Sequence, residues 1–201
     1  MGVPAAAPGL SVEDHPLVDS TRRLGSVRAE GVVATPDSAW ALSSDAVERL
    51  VDRAATAVAC DSLGLMEAML ETTVAYAKVR HQFGRPIGSF QAVQHGCADM
   101  FVATTVSRAL VAGAVAAMAG DGPPDARRAA VAMAKSHVGE AAVEVCGKAM
   151  QLHGGIGYTW ESGVHAYLKR AILNRVLFGA PDEHRRHLSA RYAGTAADAD
   201  H

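Results

Sequence analysis

Two segments carry the residue types that can do chemistry: Arg80-His-Gln-Phe-Gly-Arg-Pro-Ile-Gly-Ser-Phe-Gln91 and Gln151-Leu-His-Gly-Gly-Ile-Gly-Tyr158. In the first, Arg80 offers the planar fork that suits a pyrophosphate, Gln82 an amide for a ring edge, and Phe83 a face for stacking. The same residues also read as a cation complementing the end of a helix, followed by a loop whose Phe83 and Phe90 plug the core. In the second, a helix C-cap accounts for one glycine, whereas three let backbone approach a ligand closely or turn through positive φ. Gln151 then stands at the rim of the cleared space, within reach of a base or a sugar. His153-Gly-Gly also suits an oxyanion loop, but the chain contains no Gly-x-Ser-x-Gly and that chemistry is excluded.

Both segments fall where a helical pattern breaks, one helical hairpin apart, and are expected to form two halves of one site. The pattern begins at Ser43, with Asp45 as N-cap and Glu48 as its capping-box partner. Val47, Leu50, Val51, Ala54, Val58, Leu65 and Met69 then keep three- and four-residue steps to about Arg80. A loop through Gly84, Pro86 and Gly88 leads to a second helix with Phe90, Val93, Cys97, Met100, Val111 and Met118 inward. Pro123-Pro124 suits the first turn of a third, whose seam is Val131, Ala134, Val138, Ala141, Val145, Ala149 and Leu152. A fourth helix is predicted over 161–177 and a fifth over 181–191. The economical fold is all-α, an antiparallel four-helix bundle over 43–192. Residues 1–42, with four prolines, form a separate β/coil segment in which 24–33 supply one or two short strands. Residues 193–201 are a small, polar, frayed tail.

Composition narrows the function classes. The 201 residues are 49% apolar with a formal charge of −2, enough for a core and without the basic footprint of nucleic-acid binding. The three cysteines, Cys60, Cys97 and Cys146, are odd in number and widely spaced, and read as buried free thiols. No uninterrupted apolar run approaches the roughly 18 residues of a bilayer span. The start lacks the marks of a signal peptide, so a cytoplasmic protein without membrane attachment is expected. Asp182, Glu183, His184 and His187 read as a solvated helix face rather than a metal cluster, and Arg127-Arg128 as surface charge. No metal site is expected.

Arg-x-Gln-Phe-Gly-x-Pro-Ile-x-x-Phe-Gln and Gln-x-x-Gly-Gly-x-Gly-Tyr, in this order on adjoining helices, resemble the C-terminal domain of flavin-dependent acyl-CoA dehydrogenases. Asp99-Met100 and Tyr167-Leu-Lys-Arg170 add to the likeness, which runs from about 43 to 192. Asp19-Ser-Thr-Arg-Arg23 resembles the end of that family's middle β-domain. The resemblance implies α,β-dehydrogenation of an acyl-CoA thioester, with a carboxylate taking the α-proton and FAD shared across a subunit interface. It places Arg80, Gln82 and Phe83 on the ribityl-pyrophosphate and adenosine part of the flavin, and Gln151, Gly154 and Gly155 at the adenosine end. It implies a homodimer, or a heterotetramer with a second acyl-CoA dehydrogenase subunit, and electron-transfer flavoprotein as acceptor.

Two departures limit what this chain does alone. The family's usual positions for the catalytic glutamate hold Phe178 and Ala54, so the catalytic residue is unassigned. Glu48 and Glu161 are the remaining candidates, although Glu161 also reads as a cap of the fourth helix. The resemblance does not extend to the family's helical N-terminal domain or to most of its middle β-domain, so the expectation is a fragment or truncated gene product, or a subunit that depends on a partner. Trp160-Glu161 and Gly179-Ala-Pro-Asp-Glu-His-Arg185 resemble a subgroup associated with actinobacterial steroid and CoA-thioester breakdown, some of whose members are heterotetramers.

Overall fold

The computed structural model describes residues 2–33, 37 and 40–197, and these form two compact units, Met1–Glu48 and Arg49–His201. In the first, β1 (Leu10–His15) pairs antiparallel with β2 (Leu24–Ala29), in a register that sets Leu10 opposite Ala29 and His15 opposite Leu24. The segment expected to give one or two strands therefore gives one, and its partner comes from upstream. In the connection, Asp19 is buried and accepts hydrogen bonds from the Thr21 amide (2.9 Å) and hydroxyl (2.6 Å), an Asx turn. Pro36 lies outside the described residues.

Among the described residues five α-helices follow: α1 (Ser44–Val79), α2 (Gln91–Ala119), α3 (Pro124–His153), α4 (Val164–Val176) and α5 (Pro181–Ala197). The bundle is all-α as expected, and α3 is its axis, with close neighbours in α2, α4 and α5. Alanine explains the closeness. Ala134, Ala141, Ala142 and Ala149 of α3 are all buried, and short side chains let helix axes approach. Val131, Val138, Val145 and Cys146 fill the remaining space, and buried positions run the length of α3, as suits a central helix. On α1 the larger Met66 and Met69, both fully buried, pack into the same core.

Several sequence expectations shift. Ser43, not Asp45, caps α1, its hydroxyl accepting the Ala46 amide at 3.2 Å. The buried stripe of α1 is Ala55, Val58, Ala59, Ser62, Met66, Met69, Thr73 and Ala77, whereas Val47, Leu50 and Val51 are exposed. The apolar residues of the first turns had set the phase one position early. α4 begins three residues late because Gly163, at φ 66, interrupts the chain before it. Glu161 consequently does not cap that helix. It sits in the preceding turn, where bonds to its own backbone amide and then to Thr159 hold its carboxyl below the ordinary range. α5 is helical to Ala197, six residues past the expected end, and 198–201 lie outside the described residues.

Arg127 is not surface charge. It is 3% exposed, and its Nε donates to Asp52 of α1 at 2.9 Å. Arg170 of α4 reaches Asp61 of α1 at 3.0 Å, and the Asn174 amide donates to the same carboxylate at 2.6 Å. Cys60 is exposed and Cys97 half-buried, while only Cys146 is buried, where desolvation pushes its thiol up to about 12. By length and composition, α2 is the one helix among the described residues that passes for a membrane span. The uninterrupted-run criterion missed it because Asp99 and Arg108 break the run, each paired with a neighbouring helix through Lys148 and Glu67.

Candidate functional site

The first break in the helices is built by a hairpin. α1 ends at Val79, and His81–Gln82 then pairs with Arg85–Pro86 across the two residues Phe83 and Gly84. Both central residues have positive φ, 52 and 78, as a tight hairpin of this twist requires. Gly84 adopts that conformation freely. Phe83 does not, and it is also 91% exposed, its ring in T-shaped contact with that of Phe90 at 6.2 Å. Gly88 is needed for another reason: a Cβ there would stand 2.9 Å from the Ala77 carbonyl, so the chain after the hairpin lies directly on α1.

The second break closes α3. Gly154 adopts φ 62, ψ −146, a combination essentially confined to glycine. Gly157 is required by contact, since a Cβ there would meet the Met150 carbonyl at 2.6 Å. Gly155 is constrained by neither, with nothing within 4 Å of where a Cβ would stand. The three glycines thus have three causes: conformation, packing and room for something else.

These two breaks share a cleft of about 430 Å³. From the first segment come Tyr76, Arg80, Gln82 and Ile87, and from the second Gln151, Leu152, His153, Gly154, Gly155 and Ile156. Arg80, Gln82, Gln151, Gly154 and Gly155, chosen from sequence, are therefore brought together. Phe83 is not; it stands at the hairpin tip and does not line the cleft. Tyr76 and His153 were missed. Their rings stack at 4.5 Å, and His153 Nδ1 donates to the Ala149 carbonyl at 2.8 Å. The signal was available, because Tyr76 stands one helical turn before Arg80 and His153 directly precedes the glycines.

Arg80 makes no ion pair among the described residues, and the side chains of Gln82 and Gln151 make no hydrogen bonds among them. An unmatched guanidinium, two open amides and a glycine with empty space before it form a cradle for a flat, anionic, hydrogen-bonding ligand. A nucleotide diphosphate fits that donor set. Among the described residues no cluster suits a metal ion.

A second locus lies in the N-terminal half of α3, about three turns from its start. Lys135, 1% exposed, donates from Nζ to the carbonyls of Asn174, Arg175 and Gly179, each at 3.0 Å. Burial drives its pKa down from 10.5 to about 8, against a smaller opposing pull from Glu183. The turn it grips contains Phe178 at φ 56 and Gly179 at φ 103. Phe178 is half-exposed and Ala54 half-buried, and neither position carries a group that can take a proton.

The architecture is a helical bundle with a cleft of about 430 Å³ where two helix ends meet. Residues 44–193 match the family model "Acyl-CoA dehydrogenase, C-terminal domain", and the chain belongs to the acyl-CoA dehydrogenase family. It is 39% identical over 180 residues to acyl-CoA dehydrogenase IpdE2 of Mycolicibacterium smegmatis, covering 90% of this chain and 52% of that protein. Among solved structures it superposes on a variant of the Tcur3481-Tcur3483 steroid ACAD with a TM-score of 0.85 at 34% identity, over 97% of this chain and 52% of the other. The ChsE4-ChsE5 complex from Mycobacterium tuberculosis gives a TM-score of 0.86 at 28% identity, over 95% and 51% of the two chains. The chain spans about half the length of the curated relatives it matches.

Proposed function

We propose that this chain is the flavin-contacting helical portion of an acyl-CoA dehydrogenase that works only together with a partner subunit. The observation that carries the reading is the single cleft shared by Arg80, Gln82, Gln151, Gly154 and Gly155. In this reading the Arg80 guanidinium binds the pyrophosphate of FAD, with Gln82 and Gln151 on its sugar and base. Gly154 and Gly155 let the backbone come close to it. When bound, the flavin supplies the hydride acceptor for α,β-dehydrogenation of a CoA thioester. The substrate class is a steroid-derived acyl-CoA, supported by the likeness to a steroid ACAD and to the ChsE4-ChsE5 complex. The setting is cytoplasmic, and an electron-transfer flavoprotein would be the electron acceptor.

A second reading has its own support. Phe178 and Ala54 leave both usual base positions without a carboxylate. A chain so built completes the partner's flavin site, and the partner brings the base.

The test is the visible absorption spectrum of the purified chain, alone and co-expressed with a second dehydrogenase subunit, beside light scattering. Flavin absorbance in a stoichiometric complex, absent from the chain alone, is expected. Arg80→Ala in that complex should lower flavin affinity by about tenfold or more, the ~1.5–3 kcal/mol of a charge-assisted hydrogen bond. A colourless chain in both preparations overturns the reading. Activity gained by Phe178→Glu in a complex that lacks it would show that position 178 is the base site, whereas a complex already active without that change favours the second reading.

A further inference from the structure

The Phe178–Gly179 turn is held in a way that its sequence alone would not maintain. α4 ends at Val176, leaving its last carbonyls without partners inside the helix. The Leu173 carbonyl is taken by the Leu177 amide at 3.2 Å. Those of Asn174 and Arg175 are taken by Lys135 of α3, whose third bond crosses the turn to the Gly179 carbonyl. From the far side, His184 Nε2 bonds the Phe178 carbonyl at 3.1 Å and Glu183 Oε2 accepts the Ala180 amide at 2.9 Å. A Cβ on Gly179 would lie 2.7 Å from His184 Nε2, so the turn is closed on that side too. Between these tethers Phe178, a bulky non-glycine residue, is kept at φ 56. Such a conformation costs free energy and persists only where its surroundings over-determine it.

We propose that Lys135 is the positioning residue for position 178: by binding the end of α4 and the far side of the turn together, it fixes the direction in which the side chain there is presented. The inference rests on the reading that 178 stands at the family's base position. A helix can be capped by water or by one glycine, whereas a buried ammonium spends its desolvation cost on three carbonyls only if their relative placement matters. The grip is local to this turn. Lys135 and Gln151, at the cleft, are sixteen residues apart on α3, about 24 Å along its axis.

The test uses the whole chain with para-fluorophenylalanine at its four phenylalanines, Phe83, Phe90, Phe101 and Phe178, observed by fluorine NMR. In Lys135→Met the Phe178 resonance is expected to move and sharpen while the other three stay in place. In Lys135→Arg, which keeps the donors, it should move less. An unchanged Phe178 signal in Lys135→Met, or all four signals moving together, overturns the proposal.

Should Lys135→Met not fold, a titration of the unaltered chain from pH 7 to 9 decides. The charged groups facing Lys135 are Arg175 of α4 and Glu183 and His184 of α5. Burial lowers the His184 pKa below 6.5, away from this window, and lowers that of the Lys135 ammonium into it. The expected result is a shift of the Phe178 resonance alone with a midpoint near 8. A flat titration overturns it. A further readout separates positioning from bulk stability. The folded pKa lies below the unfolded one, so the unfolded chain binds more protons between them and stability rises as pH climbs through the window. The turn is thus expected to loosen while the melting temperature rises, two changes that a purely structural role would not set in opposite directions. The fluorine measurement needs neither flavin nor substrate. A chain that never takes up flavin refutes the proposed function and leaves this result standing.

Discussion

Phe83 bears two costs at once. Its φ of 52 is unfavourable for an aromatic residue, and its ring is exposed to water at the tip of the hairpin. Among the described residues the ring makes one aromatic contact, T-shaped with Phe90, and Arg85 covers Phe90 instead, at 4.0 Å. Strain of this kind at a surface points outward, to something that covers the ring in the working complex. Asparagine tolerates the left-handed region and has no apolar face to lose. Phe83→Asn is therefore expected to stabilise the isolated chain by up to ~1 kcal/mol. The same change should weaken flavin retention in the partner complex. Thermal melting of the chain and flavin absorbance of the complex are the two measurements, and a change that harmed both would show that Phe83 serves folding.

At the scale of elements, the glycines of the second break differ in what they demand. Gly157 answers to packing against the last turn of α3, so adding a methyl group must displace the Met150 carbonyl or the turn itself. Gly157→Ala is expected to cost about 1–3 kcal/mol and to move His153 and Gly154 in the cleft wall. Gly155→Ala, with open space before it, should leave stability unchanged and block the ligand instead. Melting curves and flavin occupancy of the two variants distinguish the roles. The elements themselves were legible because α3 repeats valine and alanine at helical spacing, and because the two glycine-containing breaks interrupt long apolar patterns. The pairing of those breaks in one cleft was legible for the same reason. What could not be read were contacts between distant residues. Nothing near Arg127 reveals that Asp52, seventy-five positions away, waits for it, and Lys135 looks like any lysine on an alanine-rich helix until the end of α4 arrives beside it. The β1 partner was missed because its alternation is weak and nearly every residue in it is exposed.

At the scale of the whole molecule, the outer side of α2 is out of keeping with a helix that faces only water. Phe101, Val102, Val106 and Val115 are all exposed, and between them lie Ala109, Ala112, Gly113 and Ala116, small residues that let a second helix come close. The charges of α2 do not relieve this, since Asp99 and Arg108 are drawn to Lys148 and Glu67 of adjoining helices. Length and hydrophobicity alone would suit a bilayer, but the paired charges and the buried side of Met100, Thr104, Ser107, Val111 and Ala114 show a helix with one face already in a protein core. A face of this kind on a bundle usually marks protein association. The proposed occupant is a second acyl-CoA dehydrogenase chain, in keeping with the likeness to the ChsE4-ChsE5 complex. Val102→Glu places a charge in the middle of that face, where it should alter folding stability by no more than about 0.5 kcal/mol. Burying the same carboxylate against a partner helix would cost several kcal/mol, enough to release the chain at micromolar concentration. Light scattering of the co-expressed complex should then report separate subunits and circular dichroism an intact bundle. A complex of unchanged mass would place the partner on another face.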